Sequence, residues 1–185
     1  MVRAIVAAGG RVFLDLKFHD IPNTVAKAVG AASRLGAFFV TVHTSGGRAM
    51  LEAAASALPA EGTQLLGVTV LTSHTDESLR ETGARGTVAE TVRQLAVLAR
   101  ESGIDGVVCS PHEITVIRET VGDDLVIVTP GIRPKGSARG DQARVTTPSE
   151  ALRLGCDYIV VGRPITEAAS PKDAAQAIVE ELSRG

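Results

Sequence analysis

The segment VFLDLKFHDIPNTV, residues 12–25, sets Asp15, Lys17 and Asp20 on or beside an otherwise apolar run. Burying such charges costs roughly several kcal/mol each unless their partners are well placed. One ion pair on a strand is commonly structural; three charges at one strand end point to chemistry. Strand alternation puts Asp15 and Lys17 on one face and Leu14 and Leu16 on the other, with Asp20 just past the end. An ammonium held between carboxylates can stabilise a developing carbanion or donate a proton to it.

Two further stretches, TPGIRP (129–134) and VVGRPIT (160–166), suggest an anion site. Arg133 and Arg163 offer forked donors suited to a phosphate. Gly131 and Gly162 allow the backbone to come close. His43 in VHTSGG ends another apolar run and is read as a supporting residue. His19 is read as ordering its loop, and His74 and His112 as solvated or capping. There is no glycine-rich nucleotide fingerprint and no zinc spacing, so no cofactor or metal is indicated.

The elements that must position these groups are six apolar runs: 12–18, 38–44, 65–73, 106–110, 125–132 and 158–163. Between them lie Ala- and Leu-rich segments with helical spacing, such as 88–103, where Val88, Val92, Leu95, Leu98 and Ala99 share a face. Ser110-Pro111-His112-Glu113 and Thr147-Pro148-Ser149-Glu150 have the form of capping boxes. MVRAIVAAGG reads as a helix stopped by Gly-Gly. Apolar strands alternating with helices imply a parallel sheet covered by helices, as a doubly wound sheet or a (β/α)8 barrel. Ligands bind such folds at the C-terminal strand ends, where Lys17, Asp20, His43, Arg133 and Arg163 all fall. The polar stretch 133–150 is long for a βα loop and reads as a lid or clamp.

The 185 residues are 44% hydrophobic and 22% charged, with a net charge of −2. That balance fits one globular α/β domain spanning 1–185, and it offers no basic surface for nucleic acid or for a membrane. Cys109 and Cys156 lack metal-ligand spacing, and no secretory or membrane-spanning run is present, so a cytoplasmic protein without disulfides is expected.

Taken together, FLDLKFHDIPNTV, VHTSGG, VTVLTS, TPGIRP, GDQARVTTP and DYIVVGRPIT resemble the orotidine 5′-phosphate decarboxylase family along nearly the whole chain. The resemblance implies a (β/α)8 TIM barrel and a homodimer with shared active sites. It implies decarboxylation of orotidine 5′-phosphate to uridine 5′-phosphate in pyrimidine biosynthesis, without metal or cofactor. Asp15 is then expected beside the substrate carboxylate, and Lys17 as the group that stabilises and protonates the ring carbanion. Asp20, Ile21 and Thr24 are expected to reach the other subunit's site. Arg133, Gln142, Gly162 and Arg163 are expected to hold the phosphate, Thr72 or Ser73 with Pro130 to border the base, and His43 to assist binding. The six runs match the third to eighth family strands. The first two strands, which in the family carry an aspartate that contacts the ribose and a lysine that completes the charged network, have no counterpart, so an incomplete barrel is expected. A metal-dependent sugar-phosphate lyase of the same superfamily, or a shortened and catalytically impaired homologue, are the alternatives.

Overall fold

In the computed structural model, which describes residues 1–134 and 146–183, the six runs form strands. They are β1 (Phe13–Phe18), β2 (Phe39–His43), β3 (Gln64–Val68), β4 (Gly106–Val108), β5 (Val126–Thr129) and β6 (Tyr158–Ile159). The helices are α1 (Val2–Ala7), α2 (Pro22–Ser33), α3 (Arg48–Ser56), α4 (Asp76–Glu81), α5 (Val88–Glu101), α6 (Ile114–Val121), α7 (Pro148–Arg153), α8 (Arg163–Thr166) and α9 (Pro171–Ser183). Every strand pair is parallel, in the order β1-β2-β3-β4-β5-β6. A doubly wound sheet reverses its strand order at a switch point. This one never does, which decides between the two architectures in favour of the barrel.

The sheet also curls as a barrel wall must. Lying flat, β2 and β6 would be roughly 19 Å apart, four strand spacings. Instead the Tyr158 ring meets Phe39 edge-on, with centroids 5.0 Å apart. Phe39, Leu66 and Val128 are buried inside the curl, with Phe13, Phe38, Val108 and Val126 packed on them. The alternate residues Val40, Val42, Leu65, Val107 and Ile127 face outward into a larger core with Val29, Leu51, Val92, Ala96 and Ile117 of the helices. Period-two alternation therefore separates an inner from an outer core, with six of the barrel's strands present.

Four of the expected strands overrun the observed ones at the C-terminal end by two residues or more: 106–110 stops at Val108 and 125–132 at Thr129, and the other two stop shorter still. The run 65–73 keeps ladder geometry only to Val68, and 158–163 only at Tyr158–Ile159. Their neighbours β4 and β5 are three and four residues long, and one further bond each, Thr69 N–H to the Val108 carbonyl (3.2 Å) and Val160 N–H to the Thr129 carbonyl (2.8 Å), ends the pairing.

Helix starts follow the local chemistry. The expected boxes at Ser110 and Thr147 are both present, although the first opens a short 3-10 turn, Pro111–Glu113, ahead of α6. Thr75 and Thr87 build two more. The α5 face expected from spacing is inward: Val92 and Ala99 are fully buried, and Val88, Leu95 and Leu98 pack against the same core.

One device recurs at the N-terminal rim. Gly103-Ile104-Asp105 and Gly155-Cys156-Asp157 follow α5 and α7. Each glycine takes a positive φ, 75° and 99°, that ends its helix without a Cβ clash. Two residues on, Asp105 accepts from the Leu65 N–H (2.7 Å) and Asp157 from the Ile127 N–H (2.7 Å). Each carboxylate thus pins the neighbouring strand's first turn of register. Arg118 adds to the second copy by donating to the Gly155 and Leu125 carbonyls and to Asp157.

Candidate active site

Parallel strands place all their C-terminal ends on one rim. Lys17 lies near the end of β1, His43 ends β2, Thr72 and Ser73 follow β3, Pro130 and Arg133 follow β5, and Gly162 and Arg163 follow β6.

The centre of this rim is a break in β1. Leu14 pairs with Val40 and Phe18 with Val42, so four steps along β1 face two along β2. The bulge contains Asp15, Leu16 and Lys17. Lys17 is the only non-glycine residue with positive φ among the described residues, at 50°. Such backbone is strained for a side chain with a Cβ and persists only where its surroundings hold it. Here the holding group is Thr41 of β2, which is fully buried. Its hydroxyl accepts from the Lys17 backbone N–H (2.8 Å) and donates to Asp15 Oδ1 (2.9 Å). The other carboxylate oxygen, Oδ2, accepts from Lys17 Nζ. The result is a closed ring of three residues.

Simple alternation is therefore not what sets Asp15 and Lys17 side by side. The bulge re-aims them, as bulges near functional sites commonly do. It also explains why Leu14 packs on the outer core while Leu16, expected on the same face, is half exposed. The Asp15 and Lys17 side chains remain open to solvent at 44% and 39%, which leaves both accessible to a ligand. Thr41 was missed in the sequence, although it carries the one hydroxyl within FVTVH, in register with inward-facing Phe39, and that was a usable signal.

His43 and His19 stack beside the ring, with centroids 5.4 Å apart. Burial, then the neighbouring His19 and Lys17 charges, hold the His43 imidazole below its ordinary range, while Asp15 opposes them. His43 is thus biased toward the neutral form, able to accept or donate one hydrogen bond. Asp20 is not part of the ring. It lies where the chain turns into α2, and its Oδ1 accepts from the Ile21 N–H (2.6 Å) instead. Ile21, which caps the start of α2, and Thr24 on its first turn are exposed, Ile21 by 67%.

On the other side of the rim, Arg133 is buried and its N–H donates to the Thr146 carbonyl (3.0 Å). The Ile132–Thr146 bridge ties down both ends of the long connection. Gly131 precedes it with φ 80°, and Gly162 and Arg163 open α8 with Arg163 exposed. Two arginines do stand at the ends of successive strands. Thr72 and Ser73 are exposed and Pro130 half-buried. Gln142 and most of the expected lid, 135–145, lie outside the described residues. Among the described residues no group of three or more His, Cys, Asp or Glu is placed to hold a metal ion, and no helix is long and apolar enough to cross a membrane.

The family described as "Orotidine 5'-phosphate decarboxylase / HUMPS family" matches residues 1–178. A curated relative from Moorella thermoacetica, named orotidine 5′-phosphate decarboxylase, is 56% identical across 98% of this chain and 75% of its own length. One of the same name from Halorhodospira halophila is 55% identical across 99% and 78%. Among solved structures, the orotidine 5′-phosphate decarboxylase of Lactobacillus acidophilus superposes with a TM-score of 0.87 at 45% identity, over 98% of this chain and 79% of that one. That of Pyrococcus horikoshii gives 0.76 at 29% identity, over 100% and 81%.

Proposed function

The chain belongs to the orotidine 5′-phosphate decarboxylase / HUMPS family, and from that premise we propose that it converts orotidine 5′-phosphate to uridine 5′-phosphate through the Asp15–Lys17 pair. The observation that carries this reading is the ring in which Thr41 and the bulge hold a carboxylate and an ammonium together on the open rim. The sugar-phosphate lyase alternative is not favoured, since the relatives at 50–56% identity are named orotidine 5′-phosphate decarboxylase.

Asp15 sits beside the substrate carboxylate. The carbon–carbon bond to that carboxylate breaks, carbon dioxide leaves, and the electron pair stays on the ring carbon. Lys17 Nζ faces this developing charge and then gives it a proton, recovering one from solvent. At about 4 Å, the attraction between ammonium and carbanion amounts to about 1 kcal/mol in water and about 4 kcal/mol at a partly dry protein surface. Excluding water from the site therefore matters as much as placing the lysine.

The phosphate is held by Arg133, Arg163, the Gly162 backbone and Gln142, far from the reacting carbon, and its binding energy serves the transition state. Thr72, Ser73 and Pro130 border the base, with His43 as a neutral hydrogen-bonding neighbour. Asp20, Ile21 and Thr24 of each subunit reach the other subunit's site in a homodimer, which gives the exposed Ile21 a surface to cover it. The chain acts in the cytoplasm as a single barrel domain, on a small molecule rather than on nucleic acid.

The test is release of carbon dioxide from carboxyl-labelled orotidine 5′-phosphate in the presence of a metal chelator. Stoichiometric uridine 5′-phosphate supports the reading. Turnover that requires added divalent metal, or none in folded protein, overturns it.

A further inference from the structure

We propose that Thr41 is a positioning residue for this decarboxylation, an inference that rests on the functional reading above. Three facts converge on its hydroxyl. Thr41 is completely buried, so an unmet hydrogen bond there has no water to turn to. Its single proton is committed to Asp15 Oδ1, and its lone pair to the Lys17 N–H. The Lys17 backbone it holds is in the left-handed region at the centre of the bulge.

The hydroxyl therefore performs two tasks with one atom. Donation to Oδ1 fixes the plane of the Asp15 carboxylate, which leaves Oδ2 aimed at Lys17 Nζ. Acceptance from the Lys17 N–H keeps the lysine Cα in the strained conformation that points its side chain along the rim. Thr41 touches neither the reacting carbon nor the phosphate in this scheme. Its loss displaces the reacting groups while leaving the phosphate anchors, which lie after β5 and β6, in place.

That separation makes the test specific. Thr41→Val keeps shape and burial and removes the hydroxyl; Thr41→Ser keeps the hydroxyl and removes a methyl group. The valine variant is expected to lose kcat on the order of 100-fold, the cost of a misplacement of about 1 Å, with KM unchanged. Serine is expected to restore kcat to within about tenfold of wild type. Amide exchange at Lys17 gives a readout independent of turnover, and it is expected to quicken in Thr41→Val and not in Thr41→Ser. Should valine prevent folding, Thr41→Ala removes the same hydroxyl without a new methyl group and takes its place.

A valine variant with wild-type kcat, a serine variant as impaired as valine, or Lys17 exchange that ignores the hydroxyl overturns the proposal. A wild-type protein without turnover is a different result: it sinks the functional reading, and the Lys17 exchange comparison then decides whether Thr41 positions that residue.

Discussion

Replacing Glu113 by glutamine should stabilise the protein at alkaline pH and leave it almost unchanged in acid. Glu113 closes the capping box at Ser110, where its carboxylate accepts from the Ser110 N–H at 2.9 Å. It is only 8% exposed. Burial pushes its carboxyl from 4.5 up to about 7, against the weaker opposing effect of the Ser110 hydrogen bond. At about 1.4 kcal/mol per tenfold, that rise corresponds to about 3 kcal/mol. The sign follows from linkage: the folded protein holds this proton more tightly than the unfolded chain does. The cost of ionising Glu113 is absent below pH 4.5, grows as pH rises, and is complete above about pH 7. Glutamine keeps an oxygen for the Ser110 N–H and carries no charge to bury. In denaturant unfolding, Glu113→Gln should exceed wild type by about 3 kcal/mol at pH 8, narrowing to about 1 kcal/mol at pH 5. Calorimetry at pH 8 should show Tm raised by about 6–12 °C. A variant equal to wild type at pH 8, or a gap independent of pH, would mean that ionising Glu113 carries no such cost in the folded protein.

Arg118→Met should cost about 2–4 kcal/mol in urea unfolding, because it leaves the Gly155 and Leu125 carbonyls without their Arg118 donor and Asp157 with the Ile127 N–H but no cation, near the N-terminal ends of β5 and β6. Mixing Lys17→Ala with Asp20→Ala subunits should restore activity absent from either alone. In a heterodimer one of two sites keeps both residues, so random pairing gives about a quarter of wild-type sites. Purely additive, inactive mixtures would remove Asp20 from the shared site.

The strands were legible because β-branched apolar runs of strand length stand apart from the Ala-rich helical segments around them. Their exact extent was not, since the ladders of β3 and β6 are bounded by the short β4 and β5 beside them, a tertiary fact. Residue patterns left barrel and doubly wound sheet open, and the strand order resolved them. The charged group at the end of β1 was legible for Asp15 and Lys17 but not for Asp20, which turns to the Ile21 N–H, and its cause was misread: alternation brings Asp15 and Lys17 together on paper, whereas the bulge and Thr41 do so in the fold. A two-residue register shift leaves no periodic trace, so only the odd hydroxyl in β2 could have signalled it. The repeated Gly-x-Asp at 103–105 and 155–157 was visible in the sequence, but its meaning depends on which strand lies beside it. Arg133 was legible as an anion-binding candidate from its forked donors, while its burial was not.

The most direct test is the fall in orotidine 5′-phosphate absorbance with purified 1–185, metal-free, with wild type and Lys17→Ala measured side by side. Wild type is expected to turn the substrate over, and a Lys17→Ala protein that still folds is expected not to. Equal rates in the two, or a folded wild type that leaves the substrate intact, would contradict the proposed function.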